Sequence, residues 1–192
     1  SVGAGPGMYI STNGGGLWTQ INSGIVEAPI SIQAIAINPL NPAIAYIAVF
    51  DATADAVQGF YKTTNSGATW VPSNAGIGVV KNILSIVINP LNPNVLYCGT
   101  SFGVTSQMGP VHIYKSNNGA ASWTDMSSGL PALTTDLNPV RSMSMSNVDT
   151  TRILAGLFQN TLTGGAFLTT NGGTTWVRQS TGIPNVVAVQ IR

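Results

Sequence analysis

Charge is what this chain has least of. Of its 192 residues 7% are charged, and 7 Lys and Arg against 6 Asp and Glu leave a net charge of +1, where an ordinary soluble domain is about a quarter charged. Nucleic acid and anionic membrane surfaces are attracted by clustered Lys and Arg, so this balance argues against both as partners. No apolar run reaches the roughly 18 residues of a spanning helix, which argues against membrane insertion. The chain has one cysteine and one histidine. A lone cysteine excludes an internal disulfide and leaves the compartment undecided; Cys98, within Val95-Leu96-Tyr97-Cys98, reads as an inert core thiol. His112 has no second histidine with which to share a metal, so neither a metal nor a cofactor is expected, and it reads as a packed or solvent-facing strand residue. Gly14-Gly15-Gly16 joins two strands rather than a strand and a helix, so it is not a phosphate loop. No segment carries a helical period. No signal peptide is evident and the chain opens on Ser1, as expected for a mature or excised fragment.

What is there is a repeat. Ser11-Thr12-Asn13-Gly14-Gly15-Gly16-Leu17-Trp18 returns as Thr63-Thr64-Asn65-Ser66-Gly67-Ala68-Thr69-Trp70. It returns again as Ser116-Asn117-Asn118-Gly119-Ala120-Ala121-Ser122-Trp123 and as Thr169-Thr170-Asn171-Gly172-Gly173-Thr174-Thr175-Trp176. The four tryptophans are 52, 53 and 53 residues apart, and a fixed period near 50 marks a repeat architecture. Gly24, Gly76, Gly129 and Gly182 recur in phase, each 11 residues after a box Asn. Each box follows an apolar run, as Gly59-Phe60-Tyr61 or His112-Ile113-Tyr114. The local expectation is strand, two-residue turn, strand. Asn-Gly supplies the positive φ, the Asn and Ser/Thr side chains bond to nearby backbone, and Trp closes the turn with its N–H on a carbonyl. Read so, Asn13, Trp18, Asn65, Trp70, Asn118, Trp123, Asn171 and Trp176 form self-satisfied hairpins, structural rather than ligand-binding.

This box resembles the Asp-box, or BNR repeat, of sialidase-like and xyloglucanase-like β-propellers, with Asn in place of every Asp and Ala120 in place of one Gly. The resemblance runs the length of the chain. It implies an all-β propeller of about four blades of four antiparallel strands, or an arc of a larger one. The family also includes sortilin-type receptors and photosystem II assembly factors, so its fold does not name a function.

The residues agree with such a blade. After the phased Gly come Ile32–Ile37, Ile83–Ile88 and Val140–Met145, then a break (Asn38-Pro39-Leu40-Asn41-Pro42, Asn89-Pro90-Leu91-Asn92-Pro93, and more loosely Asn147-Val148-Asp149). Next come Ala45–Val49, Val95–Cys98 and Ile153–Gly156; period-two alternation and proline breaks mark these as strands A and B. The box hairpin supplies strands C and D. The expected organisation is a single domain, 1–192, with repeats near 1–25 (plus 184–192), 26–77, 78–130 and 131–183. The segment 186–192 is then a strand A lacking its blade. Either it closes its own ring, or it completes the first blade of a neighbour in a homo-oligomer, a larger ring or filament, or the chain is part of a larger parent; the last two together are expected over self-closure.

Variable loops on a rigid scaffold are where sites are built. Here they join B to C and D to A, and carry Glu27, Asp51, Asp55, Asp136 and Lys81, with Arg141 at a strand edge. Asp51 with Asp136 or Glu27 is the candidate catalytic pair for glycoside hydrolysis; the competing reading is solvated loop acids. The xyloglucan-cleaving relatives set two propellers against one cleft, and this chain has one at most. The sialidase arginine triad is also absent: Arg141, Arg152, Arg178 and Arg192 are scattered. Phe50, Phe102 and Phe158, at or past the ends of B strands, are candidate apolar contacts or core. Lys62, Lys115 and Arg178 read as solvated strand positions. The expectation is therefore a non-enzymatic recognition or structural module, extracellular or at the cell surface, whose partner is a protein or a glycan. The alternative is a glycoside hydrolase or a fragment of one.

Overall fold

The computed structural model describes residues 7–26, 30–50, 59–78, 82–101, 111–131, 139–158 and 164–179. Every regular element among them is a strand: β1 (Tyr9–Ile10), β2 (Thr19–Gln20), β3 (Ser31–Ile37), β4 (Ala45–Phe50), β5 (Phe60–Thr63), β6 (Val71–Pro72), β7 (Asn82–Ile88), β8 (Leu96–Ser101), β9 (Ile113–Ser116), β10 (Thr124–Asp125), β11 (Val140–Met145), β12 (Ile153–Leu157), β13 (Gly165–Thr169) and β14 (Val177–Gln179). They make a two-stranded sheet, β1-β2, and three four-stranded meanders, β3-β4-β5-β6, β7-β8-β9-β10 and β11-β12-β13-β14, all antiparallel. These sheets are successive blades of an all-β propeller arc.

Alternation along each B strand explains how the blades stack. In β4, Ile47 and Val49 pack with Tyr61 and Trp70 against Met8, Ile21 and Ile25 of the preceding blade. Tyr46 and Ala48 point the other way and join Phe60, Leu96, Cys98 and Trp123. The third cluster repeats the pattern one blade on, with Tyr97 and Ile113 against Ile153, Ala155 and Trp176. The core is thus a series of seams between sheets, and burying each large apolar side chain there contributes about 1.5–3 kcal/mol. Cys98 is buried in the second seam, and burial pushes its thiol pKa upward.

Each A strand carries a register shift at the same place, between Ile32 and Ala34, Ile83 and Ser85, and Val140 and Ser142. Such a bulge turns its extra residue out of the ladder. Gln33, Leu84 and Arg141 hold that position.

Candidate functional site

The boxes are built from local polar bonds. In the second, Asn65 Oδ1 accepts from the Thr69 amide at 2.9 Å and from the Thr63 hydroxyl at 2.9 Å, while Nδ2 donates to Thr69 Oγ1. Asn118 and Asn171 do the same with Ser122 and Thr175. In the first box Leu17 takes the hydroxyl's place, leaving its amide on Asn13 Oδ1 at 2.8 Å. The left-handed pair lies just after the Asn: Gly14 and Gly15, Ser66 and Gly67, Gly119 and Ala120, Gly172 and Gly173. The expected two-residue turn is corrected here. Lys62 pairs with Val71, so residues 63 to 70 make the connection, long enough to wrap around the Asn side chain.

The expectation of a self-satisfied hairpin is corrected as well. Trp70, Trp123 and Trp176 donate their indole N–H groups to Ile21 O, Ser73 O and Met126 O, each at 2.8 Å and each in the preceding blade. Their backbone amides donate to Ser23 O, Ala75 O and Ser128 O. The phased glycines lie directly beneath. A Cβ on Gly24, Gly76 or Gly129 would fall 2.0, 2.1 or 2.2 Å from the carbonyl oxygen of Trp70, Trp123 or Trp176. The constant spacing therefore records a contact between blades.

Lys62 and Lys115 are only partly exposed and are tied to the next blade. Lys62 Nζ donates to Gly119 O at 2.8 Å and Lys115 Nζ to Gly172 O at 3.3 Å, both into the next blade's box. Each ammonium lies over a tyrosine ring, Tyr46 or Tyr97, at 5.8 and 5.3 Å, and Tyr97 adds its own hydroxyl to Gly172 O. Arg178 is exposed but donates Nε–H to Gly164 O within its hairpin.

The box connections and the turns after β3, β7 and β11 share one end of the arc, tied by Ser66 N to Ala43 O, Gly119 N to Asn94 O and Gly172 N to Thr151 O. At the opposite end lie the starts of β3, β7 and β11 and the ends of β4, β8 and β12. Glu27, Asp51, Asp55, Lys81, Phe102 and Asp136 lie outside the described residues. What the structure does place at that end is Arg141, exposed on its bulge, with its guanidinium carbon 4.8 Å from the centroid of the Phe158 ring. Phe158 holds its place through its amide on Pro139 O. Phe50 occupies the same register, opposite Ser31, whereas Ser101 opposite Asn82 does so in the third blade. The bulge has no signature in glycine or proline, so sequence reasoning could number Arg141 but not aim it.

A second group gathers at the outer corner of the third blade. His112 Nδ1 lies 2.5 Å from Asp125 Oδ2, and the Ser127 hydroxyl donates to Asp125 Oδ1. The residue types are those of a hydrolytic triad, but Ser127 approaches the same ring nitrogen that Asp125 engages, at 3.4 Å. The imidazole therefore does not stand between acid and nucleophile, as a triad requires. Ser127 Oγ instead accepts the Ile113 amide, as Asn74 accepts that of Phe60 and Asn22 that of Met8. Among the described residues no group of three or more His, Cys, Asp or Glu is placed to hold a metal. No helix among them is long and apolar enough to cross a membrane.

No protein-family model and no curated protein matches the chain. Similar solved structures include an ancestral GH74 enzyme, at 22% identity over 89% of this chain and TM-score 0.71. They also include the GH74 enzyme of Niastella koreensis (23%, 90%, 0.68) and the GH74 xyloglucanase of Xanthomonas campestris (15%, 88%, 0.68). The chain spans only 21%, 26% and 26% of those structures. At these identities the likeness shows the fold.

Proposed function

We propose that the chain is a non-enzymatic recognition module of the Asp-box kind, extracellular or at the cell surface, whose bulge-bearing loop end binds a glycan. The observation that supports this most directly is Arg141 over Phe158. The guanidinium, held over the ring and exposed, presents planar N–H donors in a fixed position, which suits a pair of sugar hydroxyls. In this reading the box asparagines and tryptophans are scaffold, the polar atoms of the last three boxes being occupied within and between blades. The repeats near 26–77, 78–130 and 131–183 each contribute one blade.

A second reading, an arc of a glycoside hydrolase, is favoured by the likeness to GH74 folds. One experiment separates the two. Xyloglucan oligosaccharide is titrated calorimetrically into the protein and assayed for cleavage in parallel. The recognition reading expects binding without turnover, weakened at least tenfold by Arg141→Ala with melting unchanged. Turnover that is abolished by Asp51→Asn or Asp136→Asn without unfolding overturns it in favour of the hydrolase. Saccharide binding indifferent to Arg141→Ala removes the site.

A further inference from the structure

The boxes of the third and fourth blades carry a reactive pair in their sequence. Asn118 precedes Gly119, and Asn171 precedes Gly172. In such a pair the glycine amide nitrogen can attack the asparagine Cγ, since no Cβ hinders its approach and its backbone turns freely. The N–Cγ bond forms, the Cγ–Nδ2 bond breaks, and ammonia leaves with the proton that the amide gives up. Water then opens the cyclic succinimide at either carbonyl. One opening gives Asp. The other gives isoaspartate, in which the main chain runs through the former side chain and gains a methylene.

The fold closes this route at the nucleophile. Gly119 N donates to Asn94 O and Gly172 N to Thr151 O, each at 2.9 Å. Both glycines are buried, although Asn118 and Asn171 are exposed. Attack requires the amide to lose its proton, and a backbone carbonyl accepts a hydrogen bond without removing the proton. Base in the solvent reaches it only when the bond opens. The electrophile is held as well. Asn118 Oδ1 accepts from the Ser122 amide and the Ser116 hydroxyl, both at 2.9 Å, and Nδ2 donates to Ser122 Oγ at 2.8 Å. Thr175 and Thr169 hold Asn171 in the same way. The turns that carry Asn94 and Thr151 have separate supports. Asn94 N donates to Asn92 Oδ1, and Asn89 Oδ1 accepts the amides of Leu91 and Asn92. Thr151 donates its amide and its hydroxyl to Asp149 Oδ1, and Ser146 Oγ accepts the amides of Val148 and Asp149. One turn belongs to the third blade and the other to the fourth, so each opens on its own.

We propose that Asn118 and Asn171 are latent deamidation sites, each gated by the turn between strands A and B of its own blade. While the turn holds the glycine amide, the site is inert. When the turn lifts, the amide is deprotonated and the ring closes. The two products then differ in consequence. Asp keeps the box: one carboxylate oxygen replaces Oδ1, and the other accepts from the hydroxyl of Ser122 or Thr175, which turns from acceptor to donor. Isoaspartate lengthens the chain beside Gly119 or Gly172, whose carbonyls take the ammonium groups of Lys62 and Lys115 from the preceding blade. It therefore loosens a seam that Asp leaves closed.

The test incubates the full chain in mildly alkaline buffer and follows the peptides holding Asn118 and Asn171 by mass spectrometry, with the urea-unfolded chain as reference. Deuterium exchange of the Gly119 and Gly172 amides is measured by NMR under the same conditions. Each site should deamidate about 100-fold or more slowly than in the unfolded chain, by the same factor that protects its glycine amide from exchange, because one opening governs both. Asn92→Ala should speed Asn118 about fivefold, as loss of one hydrogen bond shifts an opening equilibrium, and leave Asn171 unchanged. Asp149→Ala should do the reverse. Asn92 and Asp149 are exposed, and circular dichroism confirms that both variants fold. Protein aged to isoaspartate at position 118 should melt below Asn118→Asp, which carries the same charge. Deamidation of the folded chain at the unfolded rate overturns the proposal. Slow deamidation beside a freely exchanging glycine amide overturns the gate, as does a variant that speeds both sites or neither. Equal melting of the two products overturns the consequence drawn for the seam.

Discussion

Replacing Gly76 by alanine tests the seams at their narrowest point. Gly76 has φ +89, and an added Cβ would stand 2.1 Å from the Trp123 carbonyl oxygen. The left-handed backbone alone costs an L residue about 1–2 kcal/mol. The clash costs more, because the Trp123 carbonyl must retreat beyond 3.0 Å, and its residue is held on this blade by two bonds of 2.8 Å, Trp123 N to Ala75 O and Nε1 to Ser73 O. Losing both forfeits about 1–3 kcal/mol at 0.5–1.5 each. The sum is about 2–5 kcal/mol. At roughly 2–4 °C per kcal/mol for a chain of this size, the melting temperature should fall by about 4–20 °C. Gly14 supplies the control: its φ is +69, but nothing lies within 4 Å of the added Cβ. Gly14→Ala then bears strain only, offset in part by lower unfolded-state entropy, and should lose about 1 kcal/mol. Thermal melts followed by circular dichroism and near-UV signal give both shifts. Equal losses at Gly14 and Gly76 would refute the view that the phased glycines exist for contact between blades.

Asn118→Ala removes an acceptor for the Ser122 amide and the Ser116 hydroxyl and a donor to Ser122 Oγ; it should cost about 1–2 kcal/mol, and glycan binding should persist in the folded fraction. A binding loss with unchanged melting would instead make the box a ligand site. Ser66 is exposed and has φ 59 where the other three boxes have glycine, so Ser66→Gly should stabilise by about 0.5–1 kcal/mol, and a destabilised variant in a urea titration counts against the strain. The Thr151 hydroxyl and amide bound to Asp149 lower its carboxyl pKa below the ordinary 3.8. A lowered folded-state value means its contribution is fully present above 3.8 and is lost as pH falls through the lower value. Carboxyl carbon shifts in an NMR titration should therefore show Asp149 titrating below 3.8 and returning toward it in Thr151→Val.

Much of the fold was legible because its signals are local. Alternation along Ile83–Ile88 or Ala45–Val49 follows from the two-residue period of a strand, proline breaks from its missing N–H, and Asn-Gly turns from the backbone freedom of glycine. The repeat length follows from the 52- and 53-residue spacings, and the four-strand unit from the apolar runs and breaks within each repeat together with the Asp-box resemblance. The candidate site was less legible. The carboxylates Glu27, Asp51 and Asp136 could be assigned to loops by position, but residue type alone says nothing of where loop side chains converge. Arg141 depends on a bulge that no residue type announces.

What only the tertiary structure decided is who meets whom across the seams. Sequence alone reads Trp70 as closing its own hairpin; its indole N–H finds Ile21, 49 residues away, because stacking brings the preceding blade's last strand beneath it. Lys62 and Lys115 read as surface charges by composition, yet the next blade's box supplies a carbonyl and a tyrosine ring to each. The same contrast holds for Trp18, which is identical to its counterparts in residue and box position but is exposed among the described residues. The sequence by itself determined the blade, since a blade is made of near neighbours; how each blade buries its outer faces was decided by the arc, since that depends on the next sheet.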